Sequence, residues 1–182
     1  SDVCSSDLAN IFTGGADISG GKIVAGSATA LGSGTTSLTG GTLDLGGQTL
    51  TNAIVVDGGE LTGGTFDVAN LTAKSGTISA LLIGSNVLTK SASGVLTLSG
   101  ANTGFSGGVT LAAGTLVVGH AAALGTGPVA VNSGTLNLND TAISNTVTVA
   151  GGTLTGGSID AAQVVPTSGT ISAVLTGADG LA

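Results

Sequence analysis

The feature that most constrains this chain is a long tandem repeat. The sequence Ser-Gly-Thr-Ile-Ser-Ala at residues 75–80 recurs 93 positions later, at residues 168–173. Without any gap, residues 9–89 align with residues 102–182 and share 34 identities in 81 positions. A chain that repeats itself in this way is typical of a stack of similar units, each contacting its neighbours, and not of one closed globule.

A shorter repeat lies within the long one. A glycine precedes a short strand pattern at intervals of 17 to 20 residues, and five such intervals make up the 93-residue offset. After each glycine, polar and apolar residues mostly alternate, as in Thr-Leu-Asp-Leu at residues 42–45, which is typical of a strand with one buried face. A second strand pattern precedes many of the glycines, for example Val-Ala-Val at residues 129–131. The glycines are Gly21, Gly41, Gly59, Gly76, Gly94, Gly114, Gly134, Gly152 and Gly169.

Two strands, a turn and a loop in each short repeat cannot enclose a core alone, so the repeats must stack. We predict an all-β fold, a right-handed parallel β-helix (solenoid) of about nine rungs that is truncated at both ends. The hand follows from the rule for parallel crossovers. An antiparallel array with hairpins at the Gly-Gly pairs is disfavoured, because the loop lengths recur from rung to rung.

The alternation also predicts which side chains lie inside. The apolar residue after each glycine should belong to one continuous internal ladder, with Thr42, Thr77, Thr135 and Thr170 facing solvent. The predicted ladder consists of Leu43, Leu61, Ile78, Leu96, Leu116, Leu136, Leu154 and Ile171.

The chain divides near residue 9. Residues 1–8 fit neither repeat and contain the single cysteine, Cys4. They resemble the translation of a sequencing-library adapter, so we expect them to be non-native; a divergent native segment is the alternative. We expect residues 9–182 to be a β-helix fragment of a longer chain, with 9–101 as the first unit and 102–182 as an incomplete second unit.

Composition excludes several classes of function. The formal net charge is −7, with three lysines and no arginine, which is unsuitable for neutralising the phosphates of a nucleic acid. No run of apolar residues is long enough to predict a membrane-spanning helix. The 41% hydrophobic content and the regular strand pattern argue against disorder despite the many glycines.

Residues 88–119 resemble the autotransporter-associated β-strand repeat. They begin with Leu-Thr-Lys and continue with Gly-Val-Leu-Thr-Leu, Ser-Gly-Ala-Asn-Thr, an aromatic at Phe105, a Gly-Gly pair and a closing Ala-Gly-Thr-Leu strand. Residues 9–15 resemble the second half of the same motif. Gly104, which separates Thr103 from Phe105, is a departure from the family pattern.

The resemblance implies a passenger region of a type V secreted autotransporter, displayed at the bacterial cell surface. Such a passenger is anchored by an outer-membrane β-barrel of the same polypeptide, which this fragment lacks. The implied function is a structural stalk that assists secretion by vectorial folding and displays a surface for adhesion to a host or sister cell. From residue 9 onward the chain contains no cysteine, so disulfides cannot trap it in the periplasm. The alternative is a β-helical carbohydrate-active enzyme or a glycan-binding adhesin domain.

Few residues are candidates for catalysis. His120 is the single histidine, and its counterpart in the first unit is Ser27. No nucleophile motif accompanies it, so we interpret it as a loop residue.

The nearest group to a carboxylate cluster is Asp57, Glu60 and Asp67, and glycoside hydrolysis needs a pair of carboxylates at a defined separation. Asp57 and Glu60 are replaced by Ala150 and Thr153 in the second unit. We therefore predict that the chain is not an enzyme and has no catalytic site.

The sequence predicts no metal site and no cofactor. The Gly-Gly pairs at 63–64 and 156–157 are followed by Asp67 and Asp160, which is half of a calcium-binding β-roll motif without its second glycine. Two carboxylates cannot supply the six to eight oxygen ligands of Ca²⁺. The glycosylation patterns at residues 70–72 and 139–141 are expected by chance in a threonine-rich chain.

Outward strand positions carry paired hydroxyl residues, as at Thr77 and Ser79 or Thr170 and Ser172. Flat arrays of this kind are typical of ice-binding β-helices. Other rungs interrupt the pattern, so we interpret it as an ordinary solvated strand face. The interrupting pairs are Lys22/Val24, Thr42/Asp44 and Thr115/Val117.

Overall fold

The chain folds as a parallel β-solenoid of about nine turns, which confirms the predicted architecture. The computed structural model describes residues 3–6 and 10–177. Each strand pair in it is parallel, and pairing joins one rung to the next. The strands are β1 (Val3–Ser6), β2 (Ala16–Ile18), β3 (Lys22–Ala25), β4 (Thr36–Leu38), β5 (Thr42–Asp44), β6 (Thr49–Leu50), β7 (Ile54–Thr62), β8 (Thr65–Asp67), β9 (Leu71–Ile78), β10 (Leu81–Ile83), β11 (Leu88–Lys90), β12 (Val95–Leu98), β13 (Val109–Leu111), β14 (Thr115–Val118), β15 (Val129–Val131), β16 (Thr135–Asn137), β17 (Ala142–Ile143), β18 (Val147–Thr155), β19 (Ser158–Asp160), β20 (Val164–Ile171) and β21 (Val174–Thr176).

Two faces run the length of the solenoid. Face A contains β3, β5, β12, β14 and β16, and face B contains β2, β4, β11, β13 and β15. The long strands β7, β9, β18 and β20 supply both faces, B with their first half and A with their second. In β7 the change of face lies at the register shifts between Val56 and Glu60, and in β18 at the equivalent shifts between Val149 and Thr153.

A third face, which the sequence pattern did not predict, is present in some rungs only. Face C contains the three-stranded sheets β6-β8-β10 and β17-β19-β21. One-turn 3₁₀ helices, η1 (Val68–Asn70) and η2 (Ala161–Gln163), follow β8 and β19. The longer rungs have a loop at this corner, at residues 26–35, 99–108 and 119–128. Intervals of 17 or 18 residues therefore have a face-C strand at this corner, and intervals of 20 residues have a loop.

The predicted internal ladder is correct except at one junction. Leu43, Leu61 and Ile78 are partners in successive rungs, but the partner of Ile78 is Leu98, whereas Leu96 lies opposite Gly76. From Leu96 the ladder continues through Leu116, Leu136, Leu154 and Ile171. The prediction of a single ladder was wrong because β12 has two inward leucines, and a shift of two residues keeps the same side chains inside.

Burial agrees with the predicted faces. The ladder residues are fully buried apart from Ile171, which is partly buried in the last rung. Thr42, Thr77 and Thr135 lie on the outward side but are half-buried between neighbouring rungs, and Thr170 is exposed. The hand of the solenoid stays a prediction.

The division near residue 9 stays a prediction as well. Residues Val3–Ser6 form a strand that pairs with β3, with Val3 opposite Lys22. The predictions for residues 1–2, 7–9 and 178–182 lie outside the described residues.

The two units share backbone conformation even where their residues differ. The corner after β5 contains Gly46 and Gly47 with φ of 59° and 77°, and the corresponding corner after β16 contains Asn139 and Asp140 with φ of 49° and 58°. The left-handed region is costly for most side chains and least so for glycine, asparagine and aspartate. The turn geometry is therefore retained by the residue types that tolerate it.

Comparison of the units also identifies an inward hydroxyl. Thr36 on β4 is fully buried and its Oγ1 has no hydrogen-bond partner. Its counterpart is Val129, and in both units the backbone N–H at this position donates to the next rung, over 2.8 Å. The first unit thus contains an unpaired buried hydroxyl where the second contains a methyl group.

We expect Thr36→Val to stabilise the protein by about 1 kcal/mol, because it removes a buried hydroxyl without a partner. The reciprocal control, Val129→Thr, should destabilise it by about 1–3 kcal/mol. Urea unfolding with an unchanged m value is the measurement. A lower midpoint for Thr36→Val would contradict the assignment.

Candidate functional site

The candidate carboxylates on the outer surface are bound by the following rung. Asp57 Oδ1 accepts a hydrogen bond of 3.0 Å from Ser75, and Lys74 Nζ lies 3.4 Å from its Oδ2. Glu60 Oε1 lies 3.3 Å from the hydroxyl of Ser79. Each carboxylate therefore joins two rungs. This arrangement supports the interpretation of both residues as surface groups.

Asp67 and Asp160 terminate strands of face C. Each accepts a hydrogen bond on its Oδ1 from the backbone N–H two residues later, over 2.9 Å and 3.0 Å, and so caps η1 or η2. The two residues lie at equivalent positions of different units and not side by side. Within residues 3–6 and 10–177, no group of three or more His, Cys, Asp or Glu side chains could hold a metal ion.

His120 stands at the start of a loop turn. Its Nδ1 accepts a hydrogen bond of 3.0 Å from the N–H of Ala122, and its carbonyl accepts one of 2.9 Å from Ala123. The side chain is exposed. The role that these contacts support is capping of the turn.

An ion pair on face A connects the first rungs. Lys22 Nζ lies 2.9 Å from Asp44 Oδ2, and Asp44 Oδ1 accepts a hydrogen bond of 2.9 Å from Gly46. Both contacts, led by that with Lys22, lower the pKa of Asp44. In the second unit Asn137 takes the place of Asp44 and accepts the same turn bond from Asn139, at 2.9 Å.

A buried lysine is the group that the sequence analysis missed. Lys90 ends β11 with its side chain inward, fully buried. Its Nζ donates to the carbonyl of Ala92 and, at 3.4 Å, to that of Ala113. Burial lowers the pKa of Lys90, and the attraction of Asp57 offsets part of this effect. The alternation of Leu-Thr-Lys along β11 was the pattern that could have placed this lysine inside.

Buried asparagines hold the loops to the rungs. Asn52 Nδ2 donates to the carbonyls of Gly32 and Gly34 over 2.7 Å and 3.2 Å, and its counterpart Asn145 donates to Gly127 over 2.9 Å. Asn102 bonds both ways, from Nδ2 to a carbonyl and from Oδ1 to a backbone N–H. The sequence signal that could have identified these residues is that asparagine recurs at positions 52 and 145, at the 93-residue offset.

The outer side of face A in the second unit is a regular, uncharged array. Thr115, Thr135, Thr153 and Thr170 lie opposite one another in four successive rungs of face A. On face B an open cleft without titratable side chains lies between Val87 and Pro128.

Comparison with known proteins gives a relative of stated function. Over 126 residues, 63% of the chain, the sequence is 37% identical to the adhesin BmaC autotransporter of Brucella suis biovar 1 (strain 1330). The chain spans about 4% of the length of that protein. No family model matches the chain, so the specific repeat type stays a prediction. No solved structure matches it. In the described part of the chain, no helix is long and apolar enough to cross a membrane.

The Asp44 contacts predict a contribution to acid stability. Because the folded state lowers the pKa of Asp44 below its usual 3.8, the stabilisation is present above 3.8 and is lost as the pH falls through the folded pKa. Asp44→Asn, which copies Asn137, should keep the turn and flatten the acid limb of unfolding free energy against pH. Lys22→Met should flatten it too, and an acid limb unchanged in both variants would contradict the assignment.

Lys90 predicts a change in unfolding free energy at alkaline pH, at the opposite end of the pH range from Asp44. Burial lowers the pKa of Lys90 below its usual 10.5, so the folded state binds this proton less tightly than the unfolded state. The free energy of unfolding, measured relative to Lys90→Met, should therefore rise as the pH increases from the folded pKa to 10.5. A difference that stays flat or falls would show that Lys90 is solvated.

Proposed function

We propose that this chain is part of the stalk of an autotransporter passenger, and that it acts through its shape and its extended surface. The observation that carries the proposal is the stack of two 93-residue units with parallel pairing from rung to rung, in which the polar candidates join rungs or cap turns. Similarity to an autotransporter adhesin supports the same assignment. Adhesion, if located here, would be distributed along the outer faces.

The solenoid also supports a role in secretion. Each rung hydrogen-bonds to the rung before it, so folding can proceed one rung at a time from an emerging end. A folded rung outside the cell cannot slide back through a narrow pore. We propose that the stalk assists export in this way, anchored by a β-barrel of the same polypeptide.

The alternative function, a carbohydrate-active enzyme, needs paired carboxylates on either side of a substrate. In the described residues, Asp57 is bound by Lys74 and Ser75, and Glu60 lies against Ser79. No observation here favours that function over the stalk.

In the test, the matching segment of the Brucella autotransporter is replaced by the equivalent part of this chain. We expect normal surface exposure and adhesion for the exchange itself and for a triple variant, Asp57→Ala, Glu60→Ala and His120→Ala, because these side chains only tie rungs or cap a turn. Leu136→Asp should abolish surface exposure, since an unpaired charge in the core costs several kcal/mol. The measurements are protease accessibility on whole cells and binding to host cells.

Thr135→Ala, at the outward neighbour of Leu136, is the matched control and should be displayed normally, with a change within about 0.5 kcal/mol. A triple variant that is displayed normally but no longer adheres would show a discrete site in this chain. Normal display of Leu136→Asp would show that export does not require the folded stack.

A further inference from the structure

The rung that joins the two units differs from the others. We call residues 84–98, which contain β11 and β12, the linking rung. On face A its register shifts by two residues, so that Leu96 lies opposite Gly76. On face B, β11 lies beside β9, yet among the described residues its ladder pairing is with β13 alone. The linking rung therefore rests on the first unit without a face-B ladder.

The platform beneath the linking rung is reproduced at the other end of the described chain. Residues 164–177 correspond to residues 71–84 at the 93-residue offset. Leu82 is fully buried, whereas its counterpart Leu175 is 38% exposed. Ala80 is buried and its counterpart Ala173 only partly so. The same apolar positions are thus covered in one place and uncovered in the other.

Pro166 shows which kind of rung this uncovered platform can accept. It lies in the column of Val131 and Val149 on face B. In ordinary rungs the N–H groups of this face point to the following rung, as Val129 does toward Thr146 over 2.8 Å, and alternate residues of a strand point the same way. Proline has no N–H. An ordinary rung would therefore lose a ladder bond on this platform.

The linking rung would lose nothing there. The counterpart of Pro166 is Ala73 on β9, and β9 has no ladder pairing with β11 among the described residues. A rung that makes no face-B ladder with the rung beneath it has no use for the N–H that proline lacks there. Edge prolines commonly prevent unwanted strand pairing in this way.

We propose that the surface formed by residues 164–177 is a docking platform for one more linking rung, a segment with the pattern of residues 84–98, and that Pro166 selects it against an ordinary rung. The inference rests on the rung contacts and is independent of the proposed function.

The first test uses the chain with single substitutions. Ala73→Pro should leave the melting temperature within about 2 °C of the parent, because that N–H makes no ladder bond. Val131→Pro should lower it by roughly 6 °C or more beyond the loss seen in the side-chain control Val131→Ala. Equal losses for Ala73→Pro and Val131→Pro would overturn the proposal.

The second test extends the chain after Gly177 in two ways. One extension is a copy of residues 85–118, which begins with a linking rung. The other is a copy of residues 106–139, which has the same length and begins with an ordinary rung. Hydrogen exchange at Ile171 and Leu175 is the measurement, with Leu116 as the internal reference for a folded stack. The linking copy should slow exchange at both positions about tenfold or more. The loss of one ladder bond costs a similar free energy and would cancel this protection.

The ordinary copy should slow exchange only when Pro166→Ala is also present. Unchanged exchange with the linking copy would overturn the docking proposal. Equal protection by both copies in the chain that retains Pro166 would overturn the selection by proline.

Discussion

The structure depends on the hydrogen bonds between one rung and the next. A rung of 17 to 20 residues cannot satisfy its own backbone, because its strands are too short and too far apart to pair with each other. Each N–H and C=O of a strand must find its partner above or below, and most buried backbone groups have to be paired. Register between rungs is therefore the condition that the rest of the sequence has to meet.

The glycines and the asparagines follow from that condition. Rungs lie close together at the corners: a Cβ added to Gly125 would come within 2.2 Å of the carbonyl oxygen of Phe105. Where a loop replaces the face-C strand, backbone carbonyls would be left without partners, and Asn52 and Asn145 supply donors to them from inside. The long loops are thus built into the stack, and their lengths recur at the offset because these contacts recur.

Much of this fold could be predicted from the sequence because period-two alternation and fixed glycine spacing describe a solenoid directly. The register at β12 could not, since Leu96 and Leu98 are equally apolar and only the corner before them decides which one covers Ile78. The face-C strands were missed because they are only two or three residues long and are present in some rungs only. Lys90 was missed because a lysine is normally assigned to the surface, and only its contacts with two carbonyls explain its burial. For the candidate site the sequence indicated surface carboxylates, but not that Ser75, Lys74 and Ser79 of the next rung would bind them.

The placement of the loops has a consequence for how this rod meets its surroundings. Loops 26–35 and 119–128 leave the same corner five rungs apart, which is roughly 24 Å along the axis at a strand spacing of ~4.8 Å. Two sides of the rod are smooth sheets, and one edge carries the loops as lobes. The lobes at 26–35 and 119–128 recur at the 93-residue offset, and the loop at 99–108 lies one rung before the second of them. A long ligand that is held weakly at one lobe meets the next at a high effective concentration, so that weak contacts combine into a firm one without any single strong site. Recurrence of the loops would therefore give a partner long enough to span two of them more than one place to bind.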